Sequence, residues 1–172
     1  MRVFETHGWG GYYKSCSSHY PVLIKCVLKT DGPILELGTG FFSTTLLHWL
    51  ASERKRMLIS YDDNEDFWKL NKKFQNIYHR IRLTKDWKDI DLKRHYSVAF
   101  IDQSTRNRAP TAIAVKDIAD YVVIHDSDSD HPYHYDTVWP HYKYRYDYSK
   151  QHPWTTVVSN FNDLKWLEDS IL

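Results

Sequence analysis

The sequence has few cysteines and no long apolar run, and both shortages narrow the class of protein. Its two cysteines, Cys16 and Cys26, are ten positions apart and follow no metal-ligand spacing. Such cysteines are typical of a reducing compartment, where they pack as small apolar side chains. No segment approaches the roughly 20 apolar residues of a membrane-spanning helix, and the N-terminus has no apolar core of signal-peptide length. We therefore expect a soluble, cytoplasmic protein that does not enter a membrane.

The sequence also lacks an excess of either charge and any sign of a linker. Lys and Arg number 23 against 22 Asp and Glu, which gives a formal net charge of +1. Bulk charge therefore favours neither a nucleic acid nor an anionic membrane as a partner. The length of 172 residues is close to that of one domain, and no Pro-, Gly- or Ser-rich tract divides it. We expect residues 1–172 to form a single domain, in which residues 1–19 are an irregular N-terminal segment.

What the sequence does contain is an alternation of apolar and helical segments. Short apolar runs that end in polar or acidic residues, such as RMLISYD and SVAFID, are typical of buried parallel strands. The segments FSTTLLHWLASER, NEDFWKLNKKFQNIY and APTAIAVKDIA are predicted helices, the second with Asn64 as its N-cap. The repeated alternation predicts an α/β fold in which a doubly wound, mostly parallel sheet carries helices on both faces.

The C-terminal part departs from this alternation. The segments HYKYRYDYS and WTTVVSN are both predicted strands, and the short KQHP segment between them cannot form a parallel crossover. We therefore predict an antiparallel hairpin that completes a sheet of about seven strands. Lys143, Arg145 and Asp147 would protect its exposed edge from pairing with another chain.

Acidic and ionisable residues end the predicted parallel strands. In doubly wound sheets, ligands bind beyond the carboxyl ends of the strands, near the point where the strand order reverses. A site is therefore predicted where the following residues converge: Glu36, Asp62, Asp63, Asp86, Asp102, His125 and Asp126.

The turn after the first strand, ELGTGFFS, is rich in glycine. It is not a triphosphate-binding loop of the GxxxxGK[ST] type, because Phe41 follows Gly40 where that loop needs a lysine. The dinucleotide pattern G-x-G-x-x-G fits Gly38 and Gly40 but meets Ser43 at its third position. Glu36 argues against a pyrophosphate at this turn and suits a ligand that presents a positive amino group.

The stretch ELGTGFFST resembles the first motif, E/D-x-G-x-G, of the class I, Rossmann-like methyltransferases that use S-adenosylmethionine (SAM). It is similar to small members of that family in which the third glycine is lost, here to Phe42, and Ser-Thr follows. The resemblance extends over roughly residues 33–159. It implies an enzyme that transfers a methyl group from SAM to an oxygen or nitrogen nucleophile. The alternatives are a non-catalytic SAM- or nucleotide-binding module and, less favoured, an NAD-dependent oxidoreductase.

The resemblance also implies which residues bind the cofactor. Gly38, Gly40 and Ser43 form the turn along which the methionine part of SAM would lie, with Glu36 near its amino group. Asp62 falls where the family has an acid that binds both ribose hydroxyls, and Asp63 is the adjacent candidate.

The same resemblance assigns residues near the later strands to the adenine ring and to the reacting methyl group. Asp86 falls where the family has an acid for the adenine amino group, and Trp87 where an apolar residue covers the ring. Asp102 lies in the fourth-strand motif, beside the reacting methyl group. His125 is the candidate general base, because an imidazole near neutrality can take a proton from a hydroxyl or an amine. The predicted catalytic residues are Asp102 and His125.

The stretch HDSDSDHPYH raises the question of a metal. It begins like a calcium loop, but His131 and Thr137 stand where that loop needs a glycine and a bidentate glutamate. Asp102 and Asp126 are candidate Mg²⁺ ligands by comparison with methyltransferases that act on hydroxyls, although Ser127 replaces an amide ligand usual there. We favour a polar loop without a metal.

Two expectations concern the acceptor. The aromatic residues Trp9, Tyr12 and Tyr13 of the N-terminal segment are candidates for a lid over the site. No insertion after the fifth strand is large enough to form a substrate domain. We therefore expect a small-molecule acceptor, and the sequence predicts no oligomeric state.

Overall fold

The computed structural model describes residues 16–128 and 133–168. The predicted lid residues Trp9, Tyr12 and Tyr13 lie outside these ranges, as does His131. The described strands, in chain order, are β1 Ile34–Leu37, β2 Leu58–Asp62, β3 His79–Leu83, β4 Tyr96–Ile101, β5 Ala119–His125, β6 Tyr144–Tyr148 and β7 Thr155–Ser159.

The described α-helices are α1 Tyr20–Lys29, α2 Ser43–Glu53, α3 Glu65–Asn71 and α4 Thr105–Ala114. Short 3₁₀ turns occupy Lys72–Phe74, Trp87–Asp89, Tyr135–Thr137, Trp139–His141 and Lys165–Leu167. Across residues 16–128 and 133–168, no helix has the length and apolar character needed to cross a bilayer.

The seven strands form one sheet in the order β3-β2-β1-β4-β5-β7-β6. The first five strands pair in parallel, whereas β7 runs antiparallel to both β5 and β6. This arrangement confirms the predicted α/β fold and its C-terminal hairpin. The exposed edge strand β6 carries an ion pair in which Arg145 Nε lies 2.9 Å from Asp147 Oδ1.

Buried side chains fill both sides of the sheet. One cluster includes Leu23 and Val27 of α1 and Leu47 of α2. The other includes Ala109 and Ala112 of α4. Strands β1, β2 and β4 are buried along their whole length, as expected for parallel strands covered on both faces.

Two helices differ from their predicted bounds. Helix α3 begins after Asn64 as predicted, since the Asn64 side chain accepts hydrogen bonds from two backbone N–H groups of its first turn. It ends early, and Asn76 Oδ1 then accepts from the backbone N–H groups of Tyr78 and His79, which turns the chain into β3. Helix α4 begins at Thr105, before the predicted start at Ala109, and contains Pro110 in its interior.

The strand order determines where a ligand can bind. The connection from β1 leads to β2 on one side, whereas β4 and β5 lie on the other side. The helices that follow β1 and β4 therefore diverge at the carboxyl ends of these strands. Such a switch point leaves a crevice in doubly wound folds.

Candidate functional site

A cavity of about 420 Å³ lies at this switch point. Its volume falls within the roughly 300–1,000 Å³ typical of small-molecule and cofactor sites. Its wall includes most of the residues that the sequence singled out: Gly38, Gly40, Ser43, Asp62, Asp63, Asp102, His125 and Asp126. Glu36, Asp86 and Trp87 are absent from this wall.

The two glycines of the turn are needed for different reasons. Gly38 has a φ of +92°, and a Cβ placed on it would lie 2.4 Å from the carbonyl oxygen of Asp102. Glycine is therefore required there by the close approach of the β1 and β4 ends. A Cβ on Gly40 would meet only Ser43 Oγ, at an ordinary distance of 3.8 Å. The backbone at Gly40 is open to the cavity.

Glu36 faces the protein interior, whereas the sequence predicted that it meets the ligand. Its side chain is fully buried, and Oε1 accepts hydrogen bonds from Ser43 Oγ at 2.8 Å and Thr44 Oγ1 at 2.9 Å. Oε2 accepts from Ser60 Oγ at 2.5 Å. Burial raises the pKa of Glu36 to about 7, although these hydroxyl donors oppose the rise. Glu36 thus ties the start of α2 to β1 and β2.

Asp62 lies on the cavity wall but supports the glycine turn. Its Oδ2 accepts hydrogen bonds from the backbone N–H of Thr39 at 2.6 Å and from Thr39 Oγ1 at 2.5 Å. Its Oδ1 accepts from the backbone N–H of Asn64 at 2.8 Å. Burial raises the pKa of Asp62 despite these donors. Both carboxylate oxygens of Asp62 are therefore engaged within the protein.

Asp63 is the more accessible of the two acids. Its exposed side chain accepts hydrogen bonds on Oδ2 from Trp87 Nε1 at 3.0 Å and Ser104 Oγ at 3.1 Å. Trp87 is buried, so it orients Asp63 instead of covering a ligand ring. Asp86 caps its own short 3₁₀ turn by accepting from the backbone N–H of Lys88. The expected adenine contacts of Asp86 and Trp87 thus differ from their observed contacts.

Asp102 and His125 meet at the ends of β4 and β5. His125 Nδ1 lies 3.3 Å from Asp102 Oδ1, and His125 Nε2 lies 2.9 Å from Ser18 Oγ. Burial opposes the charged form of His125, but the nearby Asp102 carboxylate raises its pKa. Burial likewise opposes the ionised form of Asp102, but His125 and Arg108 lower its pKa. Both ring nitrogens of His125 are engaged, which leaves it poorly placed as a free general base.

Arg108 is the main site residue that the sequence did not predict. Its Nη2 lies 2.8 Å from Asp102 Oδ1, and its Nη1 lies 2.7 Å from Asp126 Oδ2. Its Nε donates to the carbonyl oxygen of Gln103 at 2.6 Å, and the guanidinium lies 4.4 Å from the ring centroid of Tyr133. The guanidinium therefore joins the ends of β4 and β5.

Arg108 also bears on the candidate metal site. Asp102, His125 and Asp126 offer ligand atoms that all lie within 4.8 Å of one another. Each of the two carboxylates already contacts the Arg108 guanidinium. Mg²⁺ would have to compete with this fixed cation for its oxygen ligands, so the donor set as arranged does not fit the ion.

The remainder of the wall is rich in rings. Phe41 and Phe67 form an edge-to-face pair with centroids 6.4 Å apart, and Phe42 and His19 also line the cavity. His19 precedes α1, and its ring meets that of His125 edge to face at 4.8 Å. Burial, and then the charge of His125, lower the pKa of His19 to about 3. No motif in the sequence singled out His19.

Comparisons with known proteins identify the fold. No family model matches the chain, and no curated protein sequence matches it. A solved structure from Thermoplasma acidophilum, provisionally described as a methyltransferase, is similar with a TM-score of 0.52 and 11% sequence identity. The similarity covers 77% of this chain and 70% of that one. At this identity the comparison shows the fold alone, and the chain has a Rossmann-like, methyltransferase-like fold.

Proposed function

We propose that the protein is a SAM-dependent methyltransferase whose acceptor is a small molecule with an oxygen or nitrogen nucleophile. The observation that carries the proposal is the composition of one cavity at the switch point. It joins the turn from Gly38 to Ser43, the acids Asp62 and Asp63, and Asp102. The methyltransferase-like fold supports the proposal, although fold alone does not establish an activity.

The residues present fit the amino acid part of SAM. Helix α2 begins at Ser43, at the cavity, with no side-chain cap and no acidic residue in its first turn. The positive end of the helix dipole therefore suits the carboxylate of the cofactor. The open backbone at Gly40 gives the ligand room to approach.

The residues at the end of β2 fit the ribose. Asp63 has one carboxylate oxygen, Oδ1, without a hydrogen bond among the described residues, and that oxygen can accept from a sugar hydroxyl. Asp62 holds the glycine turn in place through Thr39. We therefore assign direct ribose contact to Asp63 and a supporting role to Asp62.

The same acids disfavour NAD. A pyrophosphate at the glycine turn would face Asp62 and Asp63. Within residues 16–128 and 133–168, no Lys or Arg lines the cavity to neutralise a phosphate. A ligand with a positive sulfur and an amino group is a better match to this wall than a dinucleotide.

When bound, SAM would supply a methyl group on a positively charged sulfur, and this sulfur would be the leaving group when a nucleophile attacks the methyl carbon in line. Catalysis of such a transfer depends mainly on positioning and on the exclusion of water. The rings of Phe41, Phe42 and Phe67 give the cavity apolar walls. The ion pairs of Arg108 hold Asp102 and Asp126, which also line the cavity. The protein thus holds its polar groups rigidly beside an apolar surface.

Calorimetric titration with SAM, S-adenosylhomocysteine (SAH) and NAD tests the proposal. We expect SAM and SAH to bind with micromolar dissociation constants, a free energy of roughly −8 kcal/mol, and NAD to give no heat. Binding of NAD alone would contradict the proposal and favour an oxidoreductase. Conversion of SAM to SAH with a panel of small hydroxyl and amine acceptors then separates an enzyme from a non-catalytic SAM-binding module.

A further inference from the structure

His19 is a buried polar residue with no structural explanation. Only 1% of its surface is exposed, and its ring lies between the rings of Phe100 at 4.8 Å, His125 at 4.8 Å and Tyr20 at 5.1 Å. Neither Nδ1 nor Nε2 has a hydrogen-bond partner within residues 16–128 and 133–168. Buried polar groups without partners destabilise a fold and are rare. The residue nevertheless lies on the wall of the cavity.

The neighbouring His125, unlike His19, has a partner at both ring nitrogens. His125 uses Nε2 with Ser18 and Nδ1 with Asp102. The low pKa of His19, caused first by its burial, keeps that imidazole uncharged at neutral pH. A neutral imidazole offers one N–H donor and one nitrogen lone pair. Of the two histidines on the wall, His19 therefore has hydrogen-bonding capacity left for a ligand.

The charges beside His19 are already balanced. Asp102 and Asp126 both contact Arg108, and His125 faces the same two carboxylates. Among the described residues, no Lys or Arg side chain lines the cavity. A carboxylate or phosphate entering this end of the cavity would find no uncommitted positive partner, and its desolvation would go uncompensated.

We propose that His19 is the residue that hydrogen-bonds the methyl acceptor, and that the acceptor is an uncharged, planar small molecule with a hydroxyl or amide group. The planar shape follows from the rings that share the wall, those of Phe41, Phe42 and Phe67. That the ligand is a methyl acceptor rests on the proposed function, whereas the ligand contact at His19 does not depend on it.

The test uses three probes of similar shape on protein labelled with ¹³C and ¹⁵N in its histidines. Phenol and benzamide are neutral, and benzoate is anionic at pH 7.5. We expect both neutral probes to shift the His19 ring resonances and benzoate to bind about tenfold more weakly than benzamide. His95 precedes β4, at the end of that strand remote from Asp102, and its ring resonances are the internal control. Unmoved His19 resonances with both neutral probes, or equal binding of benzoate, would overturn the proposal.

Two variants separate a binding role from simple packing. His19→Phe keeps a ring but removes both nitrogens, so its melting temperature should equal or exceed that of the wild type, while benzamide binding falls about tenfold or more. His19→Gln restores a donor and an acceptor and should retain more benzamide binding than His19→Phe. A His19→Phe protein that binds benzamide as well as the wild type would show that His19 only packs.

Titration with SAH in parallel distinguishes the two proposals. His19→Phe should leave the affinity for SAH within about twofold of the wild type, because neither ring nitrogen of His19 is hydrogen-bonded to the described glycine turn or to Asp63. Neutral probes that shift His19 in a protein that binds no SAH would contradict the proposed function and leave the His19 site standing. Binding of SAH without any probe effect at His19 would support the proposed function and contradict the His19 proposal.

Discussion

Arg108 Nη2 lies 2.8 Å from Asp102 Oδ1, inside the structure where β4 gives way to α4. Only 9% of the Arg108 side chain is exposed, so this guanidinium is a nearly buried cation. Burial would otherwise make the Asp102 carboxylate costly. His125 first, and then Arg108, offset this cost and hold the pKa of Asp102 below its usual value.

Removal of Arg108 should therefore destabilise the fold. We expect Arg108→Leu to lower the free energy of unfolding by about 3–5 kcal/mol, since it leaves Asp102 and Asp126 without their cation. Urea denaturation measures the loss. The matched control is Arg54→Leu, which breaks a 2.6 Å pair with the exposed Asp31 and should cost about 1 kcal/mol or less. Equal losses in the two variants would mean that the buried pair contributes no more than a surface pair.

The same pair predicts the response to magnesium. In the wild type, millimolar Mg²⁺ should leave the melting temperature unchanged, because Arg108 contacts both candidate carboxylates. In Arg108→Ala, the freed oxygens of Asp102 and Asp126 should bind Mg²⁺, and the ion should raise the melting temperature of that variant. A rise in the wild type, reversed by EDTA, would instead establish a native metal site.

Glu36 predicts a pH dependence of stability. Its pKa of about 7 in the folded protein lies above the ordinary value of 4.5. The folded protein therefore binds more protons between these values, so the contribution of Glu36 is fully present below pH 4.5 and is lost as the pH rises through 7. The loss is roughly 3 kcal/mol by the size of the shift.

Comparison with a variant isolates this contribution. Between pH 5 and pH 8, as set by the same shift, the unfolding free energy of the wild type should fall relative to that of Glu36→Gln. Glu53→Gln, at an exposed position at the end of α2, is the control and should track the wild type. Parallel curves for the wild type and Glu36→Gln would show that Glu36 stays ionised throughout.

The two glycines of the turn predict opposite outcomes for the same substitution. Gly38→Ala should unfold the protein or lower its melting temperature strongly, because its Cβ would overlap the backbone of Asp102. Gly40→Ala should melt like the wild type but bind SAH more weakly, since its Cβ would project where only the ligand approaches. Thermal melts and SAH titration of both variants check this. Unchanged SAH affinity in Gly40→Ala would place the ligand away from the turn.

Sequence patterns predicted the part of the site that follows from topology. Parallel strands bring their carboxyl ends to one edge, so Asp62, Asp102 and His125 reach the same cavity once five strands and their order are recognised. The fold and its terminal hairpin were predictable for the same reason, because apolar runs and turn lengths are local signals.

The remaining features depend on contacts between distant segments. Glu36 turns inward because hydroxyls of α2 and β2 converge on it, and no local pattern contains that information. Arg108 was missed because the predicted helix began at Ala109, whereas α4 begins at Thr105 and carries Arg108 on its buried side. If the predicted helix had begun at Thr105, Arg108 would have shared a helix face with Ala109 and Ala112, and that pattern would have indicated a buried arginine.

The proposed function requires SAM to bind in the cavity through Asp63 and the glycine turn. Titration of SAH into the wild type, Asp63→Asn and Asp89→Asn tests it most directly. We expect the wild type to bind SAH with a micromolar dissociation constant. Asp63→Asn should lose about 1.5–3 kcal/mol of binding free energy, as for a hydrogen bond to a charged group. Asp89→Asn changes an exposed acid outside the cavity wall and should bind like the wild type. No heat with the wild type, or equal affinity in all three proteins, would contradict it.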